Sequence, residues 1–193
     1  MRKGLGWLAV LVVLCVAQSG CVMWCVQSWD SGTNGPSCRF KELQAIVPQG
    51  LLGKYKSVEV CPFTEQIPHL APSKIVTAVA PELAAELEDS NLFLVVTTIP
   101  NQPPAGTLTI RGEIVYYDPG EVNERVLGMS GESELIGRVS LIDKESGDVV
   151  GMCDARGIVK TTFNEGNTVS LGLAKGVAKW IFLNHPSAEK EQE

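Results

Sequence analysis

A regular alternation of apolar and polar residues over 107–117 is the feature that most restricts how this chain can fold. One side of an extended chain would carry the apolar side chains Leu108, Ile110, Ile114 and Tyr116. The other side would carry the polar side chains Thr109, Arg111 and Glu113. A period of two residues is that of a β-strand with one buried face. The chain must therefore build a sheet whose inner face is covered, and Asp118-Pro119-Gly120 is predicted to end this strand.

Two other segments carry apolar residues at helical spacing. Between residues 73 and 90 the apolar positions are Ile75, Val79, Leu83 and Leu87; between about 168 and 184 they are Leu173, Val177 and Ile181. Pro81 removes one backbone hydrogen bond from the first helix, so we expect a kink or a fresh helix start there. Gly172 and Gly176 are one helical turn apart in the second helix, which predicts close packing of that helix against the sheet.

Further strands are expected at 57–62, at 92–98, around 135–141 and at 149–159, with a hairpin loop at 143–148. The continuous apolar run at 92–98 is typical of a strand in the middle of a sheet. The expected fold class is therefore α/β, of the α+β kind. It would be a mixed β-sheet with a β-α-β start, an antiparallel meander and a C-terminal helix, with both helices on one face.

The first twenty residues have the features of a secretory signal. Arg2 and Lys3 form a basic start, residues 4–17 form an uncharged and mostly apolar run, and Ser19-Gly20 precede Cys21. A cysteine directly after small residues is typical of a bacterial lipoprotein signal, in which the thiol receives a diacylglyceryl group. We therefore expect lipidation of Cys21, although Gln18 departs from the usual aliphatic residue.

The expected domain organisation follows from that signal. It consists of a signal peptide (1–20), a lipidated N-terminus with a flexible tether (21–38), a single globular α/β domain (39–186) and a charged tail (187–193). An uncleaved membrane anchor is the alternative, because residues 7–26 are uncharged and long enough to span a bilayer. A simple secreted protein is a third possibility. All three place the folded part outside the cytoplasm, and the first predicts a membrane-anchored lipoprotein that faces the periplasm.

The charge balance argues against nucleic acid as a partner, and the cysteine spacing leaves disulfide pairing open. The chain has 193 residues with 16 Lys and Arg against 22 Asp and Glu, and loss of residues 1–20 would change the net charge from −6 to −8. No basic surplus exists to neutralise phosphates, so nucleic acid is not expected as a partner. Beyond Cys21, the thiols are those of Cys25, Cys38, Cys61 and Cys153, whose pairing the spacing leaves open. No metal site and no cofactor are expected.

Candidate catalytic groups are few. The dinucleotide-binding and phosphate-loop motifs are absent, and the chain has only two histidines to act as bases, His69 and His185. Glu132 and Glu134 lie two residues apart on a predicted strand, so they could form a carboxylate pair or could be solvated strand charges. Tyr117 and Asp118 could bind a ligand, or could simply end their strand.

One stretch resembles a known family. Gly112-Glu113-Ile114, Tyr117-Asp118 and Gly120, followed by Arg125, the turn 128–131 and then Asp143-x-x-Ser146-Gly147, are similar to the pattern of an uncharacterised family of small bacterial envelope lipoproteins, known as a domain of unknown function. The resemblance covers about residues 54–182. It implies an envelope location and a mixed-sheet fold, and its pattern contains no catalytic group. The binding site stays unknown, and Tyr117, Asp118 and Arg125, which lie within this stretch, are the candidate binding residues.

Two functions compete at this point. The first is a non-enzymatic, lipid-anchored envelope protein that binds an unidentified envelope protein and is held to the membrane through the Cys21 lipid. The alternative is an envelope hydrolase or carbohydrate-binding domain that uses Glu132, Glu134 or the Tyr117–Asp118 corner. A deep pocket with convergent polar groups would favour the alternative.

Overall fold

A computed structural model of the protein describes residues 37–120, 132–160 and 169–187. Within these ranges the chain forms seven strands, two α-helices and one short 3-10 helix. In chain order they are β1 (Ser37–Gln44), the 3-10 helix (Leu51–Lys54), β2 (Ser57–Val60), β3 (Thr64–Glu65), α1 (Ser73–Asp89), β4 (Val95–Thr97), β5 (Thr107–Asp118), β6 (Glu132–Asp143), β7 (Val149–Lys160) and α2 (Val169–Leu183).

The strands form one open, mixed sheet in the order β1-β7-β6-β5-β2-β4, with β3 also paired to β5. β2 is parallel to both β4 and β5, so the β2–α1–β4 segment is the expected β-α-β unit. β5, β6 and β7 form the expected antiparallel meander. The predicted fold class is therefore confirmed.

Both helices pack against each other and against the inner face of the sheet. The helices contribute Val79, Leu83, Leu87, Leu173, Val177 and Ile181 to the core, and the strands contribute Leu108, Ile110, Ile114, Leu135, Val139 and Leu141. Trp180 is completely buried, and its indole N–H donates to Glu42 Oε2 at 3.1 Å. The apolar positions that define both predicted helices therefore face the core.

The two glycines of α2 lie where the helix approaches the sheet most closely. A Cβ atom on Gly172 would lie 3.0 Å from the Cα of Gly157, and one on Gly176 would lie 3.1 Å from the carbonyl oxygen of Arg39. A Cβ on Gly157 would be 2.3 Å from the carbonyl oxygen of Val169. The predicted close packing of this helix on the sheet is confirmed, and it requires a glycine on the strand as well.

A bulge in β5 changes the predicted face of one tyrosine. Ile114 pairs with Gly137 and Tyr116 pairs with Ile136, so Val115 has no partner on β6. The extra residue reverses the alternation beyond it. Tyr116 is consequently 43% exposed, and Tyr117 packs against the core. The prediction that Tyr116 shares the buried face of Ile114 is wrong for this reason.

The apolar run at 92–98 does not form a central strand. Only Val95–Thr97 are in β4, which lies at an edge of the sheet, and Leu94 is 82% exposed. The run is hydrophobic on both faces, but only Phe93 on it is buried against the core. The continuous apolar run therefore predicted a strand correctly, but the predicted place of that strand in the middle of the sheet is wrong.

The opposite edge of the sheet is a strand that the sequence did not reveal. β1 pairs antiparallel with β7, and it begins at Ser37, two residues before the predicted start of the domain at 39. Ser37 and Cys38 thus belong to a strand and not to the tether. The apolar pattern breaks at Glu42, which is exposed and accepts the hydrogen bond from Trp180.

Helix α1 continues through Pro81 as one element, so no fresh helix starts there. Pro81 is exposed, and its ring faces away from the core. Among the helices of the described ranges, none combines the length and the apolar character needed to cross a membrane.

Candidate functional site

The predicted site residues divide between the described and the undescribed parts of the chain. Cys21, the expected lipidation site, and Arg125, a candidate binding residue, lie outside the described residues. Tyr117, Asp118, Glu132 and Glu134 are described, and they lie at the same end of the sheet because Asp118 pairs with Glu134. The structure therefore brings the Tyr117–Asp118 corner next to the glutamate pair.

Asp118 caps the backbone of its own turn. Its Oδ1 accepts a hydrogen bond from the backbone N–H of Gly120 at 2.8 Å, and Gly120 has φ of +74°. Ser133 on the neighbouring strand donates from its hydroxyl to the carbonyl oxygen of Pro119 at 2.7 Å. Since a positive φ suits glycine and the short aspartate side chain suits a local cap, this corner has the features of a strand-ending turn.

The two glutamates do not form an isolated carboxylate pair. Arg156 on β7 lies beside Glu134, with 2.6 Å between Nε and Oε1, and its Nη2 donates to Oε2 at 2.8 Å. Glu132 is exposed at the start of β6. Glu134 is therefore engaged by an arginine on the outer face of the sheet.

A second ion pair lies on the same outer face. Arg138 donates to both oxygens of Asp154, at 2.9 and 3.2 Å. Asp154 and Lys41 are register partners, as are Arg138 and Glu113, so charges of opposite sign alternate across four strands. The hydrogen bond to Asp154, together with its negative charge, raises the pKa of Arg138. The outer face is thus a charge-balanced ladder, which is typical of a solvated sheet surface.

The Asp-x-x-Ser-Gly segment is the hairpin between β6 and β7. Asp143 Oδ1 accepts hydrogen bonds from the backbone N–H groups of Glu145 and Ser146, at 2.9 and 3.3 Å. Gly147 has φ of +78°, and its N–H donates to the carbonyl oxygen of Asp143 at 2.8 Å. The aspartate and glycine of the resemblance therefore have turn-forming roles.

The same aspartate ties the hairpin to the 3-10 helix. Its Oδ2 accepts from Lys54 Nζ at 2.7 Å and from the hydroxyl of Tyr55 at 3.0 Å. The Lys54 ammonium holds the pKa of Asp143 at about 2. The next residue, Lys144, donates to Glu59 Oε1 at 2.5 Å and to the carbonyl oxygen of Gln102 at 2.7 Å. Two ion pairs in succession thus hold this hairpin against β2 and the 101–106 loop.

The thiols in the described ranges are unpaired and mostly buried. Cys38 and Cys153 are buried, and Cys61 is partly exposed. Burial raises the pKa of the Cys38 and Cys153 thiols. Across residues 37–120, 132–160 and 169–187, no group of three or more His, Cys, Asp and Glu side chains is arranged to hold a metal ion. A raised pKa keeps the buried thiols of Cys38 and Cys153 protonated, which is typical of unreactive core side chains.

An open groove of about 570 Å³ lies at the end of the sheet opposite the Asp118 corner. It is lined by residues of two segments, 46–50 and 183–186. Pro186 rests on Gly53, where a Cβ would come within 2.7 Å of the proline ring. His185 is buried, packs edge-on against Phe93 at 5.9 Å between ring centroids, and accepts from the N–H of Ser187 through Nδ1 at 3.3 Å. Burial lowers the pKa of His185.

Sequence reasoning missed this groove. Its two lining segments are about 135 residues apart in the chain, and only the pairing of β1 with β7 and the packing of α2 bring them together. The strongest local signal was Leu183 followed by Asn-His-Pro, which ends a helix and does not by itself indicate a binding surface.

Comparison with solved structures finds chains that are similar to this one at low sequence identity. The PelC dodecamer from Paraburkholderia phytofirmans is 12% identical, with coverage of 78% of this chain and 98% of that chain, at a TM-score of 0.49. Protein XCC0632 from Xanthomonas campestris, of the family DUF330, is 8% identical, with coverage of 72% and 90%, at a TM-score of 0.43. Lipoprotein GNA1162 from Neisseria meningitidis is 13% identical, with coverage of 65% and 96%, at a TM-score of 0.40.

Comparison of the sequence with protein families gives one match. The family model described as "Domain of unknown function (DUF4410)" matches residues 64–167. This range includes the β5 alternation, the Asp118 corner and the Asp143 hairpin. A search of curated proteins gave no match.

Proposed function

The chain belongs to the family of domains of unknown function DUF4410, and from this premise we propose that it is a lipid-anchored protein of the bacterial cell envelope that acts by binding another protein. In this proposal the diacylglyceryl group on Cys21 holds the protein at the membrane. The folded domain faces the periplasm and performs no catalysis.

The observation that carries the non-catalytic role is that three candidate carboxylates, two of them in the family pattern, are engaged by structural partners. Asp118 caps Gly120, Asp143 caps its hairpin and pairs with Lys54, and Glu134 pairs with Arg156. A catalytic carboxylate has to be directed at a cavity and poised to exchange a proton. These three instead maintain turns and strand pairs, which supports a scaffold whose function lies in its surface.

The anchor is supported by the N-terminal sequence. Residues 1–20 have the pattern of a secretory signal, and Cys21 follows it directly. Loss of this segment would leave a net charge of −8, which repels anionic headgroups, so a basic patch would not hold the domain at a membrane. A diacylglyceryl group supplies the two chains that stable anchoring needs. The fifteen residues between Cys21 and Ser37 would then allow a reach of about 20 Å.

The test is metabolic labelling with a fatty-acid analogue, followed by fractionation of membranes. We expect the parent protein to carry the label and to sediment with membranes, and Cys21→Ser to lose both the label and the processing of residues 1–20. Cys25→Ser is the matched control, because it removes a thiol four residues away and should keep the label.

Two results would contradict the proposal. Equal labelling of the Cys21→Ser variant and the parent would place the lipid elsewhere. Membrane association of the parent without label would favour an uncleaved membrane helix.

A further inference from the structure

Exposed apolar side chains are concentrated at the two edges of the sheet. In the part of the chain that the structure describes, seven of the nine large apolar side chains that are exposed lie at these edges. One group, the β4 patch, consists of Leu94, Val95 and Ile99. The other group, the β1 patch, consists of Leu43, Val47, Val149 and Leu183. Gln44 of β1 donates from Nε2 to the carbonyl oxygen of Val149 at 3.1 Å, and Leu183 lines the groove together with Ile46, so both lie beside this edge. Apolar patches of this kind mark candidate interaction surfaces.

The two patches lie at the same level of the sheet. One row of register partners crosses the sheet from β4 to β7 through Thr97, Glu59, Thr109, Ile142 and Val149. Thr97 is two residues from both Val95 and Ile99 of the β4 patch, and Val149 belongs to the β1 patch. A copy that is displaced sideways, without a shift along the strands, therefore brings its β1 patch to the β4 patch of its neighbour.

Strand direction also permits this contact. β4 is parallel to β2 and β5, and two antiparallel pairings lead from β5 through β6 to β7, so β7 runs in the same direction as β4. β1 is antiparallel to β7. In a copy displaced sideways, β1 consequently runs antiparallel to the β4 that it approaches, which is the commoner way for two strands to pair. Among the described residues, no strand occupies the outer side of either β1 or β4.

The β4 strand has none of the features that commonly prevent an edge strand from pairing. Its three residues are two valines and a threonine, without charge, proline or bulge. Leu94 directly precedes them and is exposed. Burial of these side chains against another chain would remove apolar surface from water. This edge can therefore accept a further strand.

Charge does not oppose contact between the two edges. The chain carries a net charge of −6, so copies of it repel one another unless the contact avoids acidic groups. Residues 90–110 contain no charged side chain, which leaves the β4 edge neutral. The β1 edge has Arg39 and Lys41 against Glu42, and Lys179 of α2 lies close enough to Cys38 to act on its pKa. A neutral edge thus meets an edge that is net basic.

We propose that copies of this protein associate head to tail, with the β4 patch of one copy against the β1 patch of the next. A pair of copies keeps one free patch of each kind, so the association continues into a ring or a row. The inference goes beyond the proposed function, which concerns a different protein as partner, and it uses only the proposed anchor. Head-to-tail contact leaves every Ser37 at the same end of the assembly, so all the tethers can reach one membrane. Pairing of β4 with a second β4 would place the two Ser37 residues at opposite ends.

Attachment to a membrane would strengthen this contact. A pairing of a three-residue strand and a few apolar side chains is smaller than a stable soluble interface, which buries about 1,200 Å² or more. Copies held on one membrane have a higher effective concentration than copies in dilute solution. We therefore expect the association in membranes, and the experiment is designed for them.

The test is site-specific photocross-linking of the full-length protein in membranes of the bacterium that encodes it. A benzophenone amino acid replaces Leu94 in the β4 patch or Val47 in the β1 patch. In the controls it replaces Ile67 or Tyr116, which are also exposed and apolar but lie in neither patch. Two differently tagged versions of the chain are expressed together, and adducts that carry both tags are isolated. We expect at least fivefold more of these adducts from Leu94 and Val47 than from the controls.

The peptides joined in the adducts test the geometry of the contact. Trypsin releases residues 42–54, which include Leu43 and Val47, and residues 75–111, which include the β4 patch. We expect position 94 to be joined to peptide 42–54 and position 47 to be joined to peptide 75–111. These adducts cannot form within one chain, because the six strands of the sheet separate its two edges by about 24 Å.

A set of matched variants tests the β4 edge. Leu94→Lys places a positive charge opposite the net basic β1 edge, and it should reduce the Val47 adduct at least fivefold. Leu94→Glu should retain at least twice the adduct of Leu94→Lys, because its charge is opposite to that of the β1 edge. Ile67→Lys adds a lysine at an exposed apolar position outside both patches and should leave the adduct unchanged. Equal losses in Leu94→Lys and Ile67→Lys would overturn the inference.

The remaining outcomes separate the inference from the proposed function. Position 94 joined to peptide 75–111 of a second copy, equal adducts from Ile67 and Tyr116, or no adduct with both tags would each overturn the inference. Adducts with a different protein in place of a second copy would overturn it and support the proposed function. Reciprocal adducts in a protein that carries no fatty-acid label would support the inference and contradict the proposed anchor.

Discussion

Asp118 and Gly120 explain at the residue scale why the family's Tyr-Asp-x-Gly pattern can exist without a ligand. The carboxylate satisfies the Gly120 N–H, and the glycine supplies the positive φ that other residues adopt at a cost. The sequence predicted that this corner ends the strand, because turn chemistry depends on residues within two or three positions of one another. Tyr116 could not be assigned in the same way, since a single unpaired residue at Val115 reversed its face.

Substitutions at this corner should act through stability. We expect Gly120→Val to lower the free energy of unfolding by about 1–3 kcal/mol, the cost of a forced backbone conformation. Asp118→Ala should lower it by about 1 kcal/mol, because one local hydrogen bond is lost. Asp118→Asn keeps an acceptor and should melt close to the parent. Thermal melts of the purified mature protein measure all three, and a normal melt of Asp118→Ala combined with loss of partner binding would make the corner a recognition site.

Glu134 should behave as one half of a surface ion pair. We expect Glu134→Gln to cost at most about 1 kcal/mol, as exposed pairs do, with Glu132→Gln smaller still. Asp154→Asn is the matched control, because it breaks the Arg138 pair on the same face of the sheet. Urea unfolding compares them. A Glu134→Gln variant more stable than the parent by more than 1 kcal/mol would indicate a strained functional carboxylate.

At the element scale, periodicity predicted the long strands and both helices because each has one face against the core. It failed for the sheet edges. β4 is short and half-exposed although its sequence is apolar, and β1 is paired although its sequence alternates poorly. An edge strand is defined by which strand it pairs with across the chain, and local pattern holds no information about that pairing.

The contact between α2 and the sheet gives a prediction at this scale. Gly157→Ala should destabilise the protein by about 3 kcal/mol, since the new methyl group would meet backbone atoms of α2 at 2.3 and 2.4 Å. Gly176→Ala should change stability by less than 1 kcal/mol, because its tighter contact at 3.1 Å is offset by the higher helix propensity of alanine. Urea midpoints separate the two, and equal midpoints would show that the helix can move away from the sheet at no cost.

The β6–β7 hairpin should give the protein an acid-sensitive element. The pKa of Asp143 is about 2 in the folded state, below the ordinary value of 3.8, so its pairing with Lys54 stabilises the fold fully above about pH 4. That contribution is lost as pH falls from 4 to 2. It is on the order of 1–2 kcal/mol, since half-exposed Lys54 is screened by solvent.

Asp143→Asn should remove this contribution and keep the turn. We expect a lower free energy of unfolding at pH 7 and a flatter dependence of that free energy on pH between 4 and 2. Urea unfolding at each pH measures both. Asp148→Asn, in the same hairpin, should keep the parental slope. An Asp143→Asn variant with the parental slope would assign the acid sensitivity to another carboxylate.

At the scale of the whole molecule, the fold forms a groove that no local sequence pattern predicted. The core and the fold class agree with the sequence, because apolar periodicity and turn residues point to the same α+β fold. The groove joins residues 46–50 to residues 183–186, so it exists only once β1 pairs with β7 and α2 packs on the sheet. A site of that kind can be found only once the three-dimensional structure is known.

The central claim is that this domain is held at a membrane by a lipid on Cys21, and the mature N-terminal peptide tests it most directly. Trypsin cannot cut between Cys21 and Arg39, because that stretch contains no lysine or arginine before Arg39. Mass spectrometry of protein purified from membranes should therefore find the peptide 21–39 with a diacylglyceryl group on its first residue. An unmodified peptide that starts at Gly4 and runs through to Arg39 would contradict the account, because the signal would then be an uncleaved anchor.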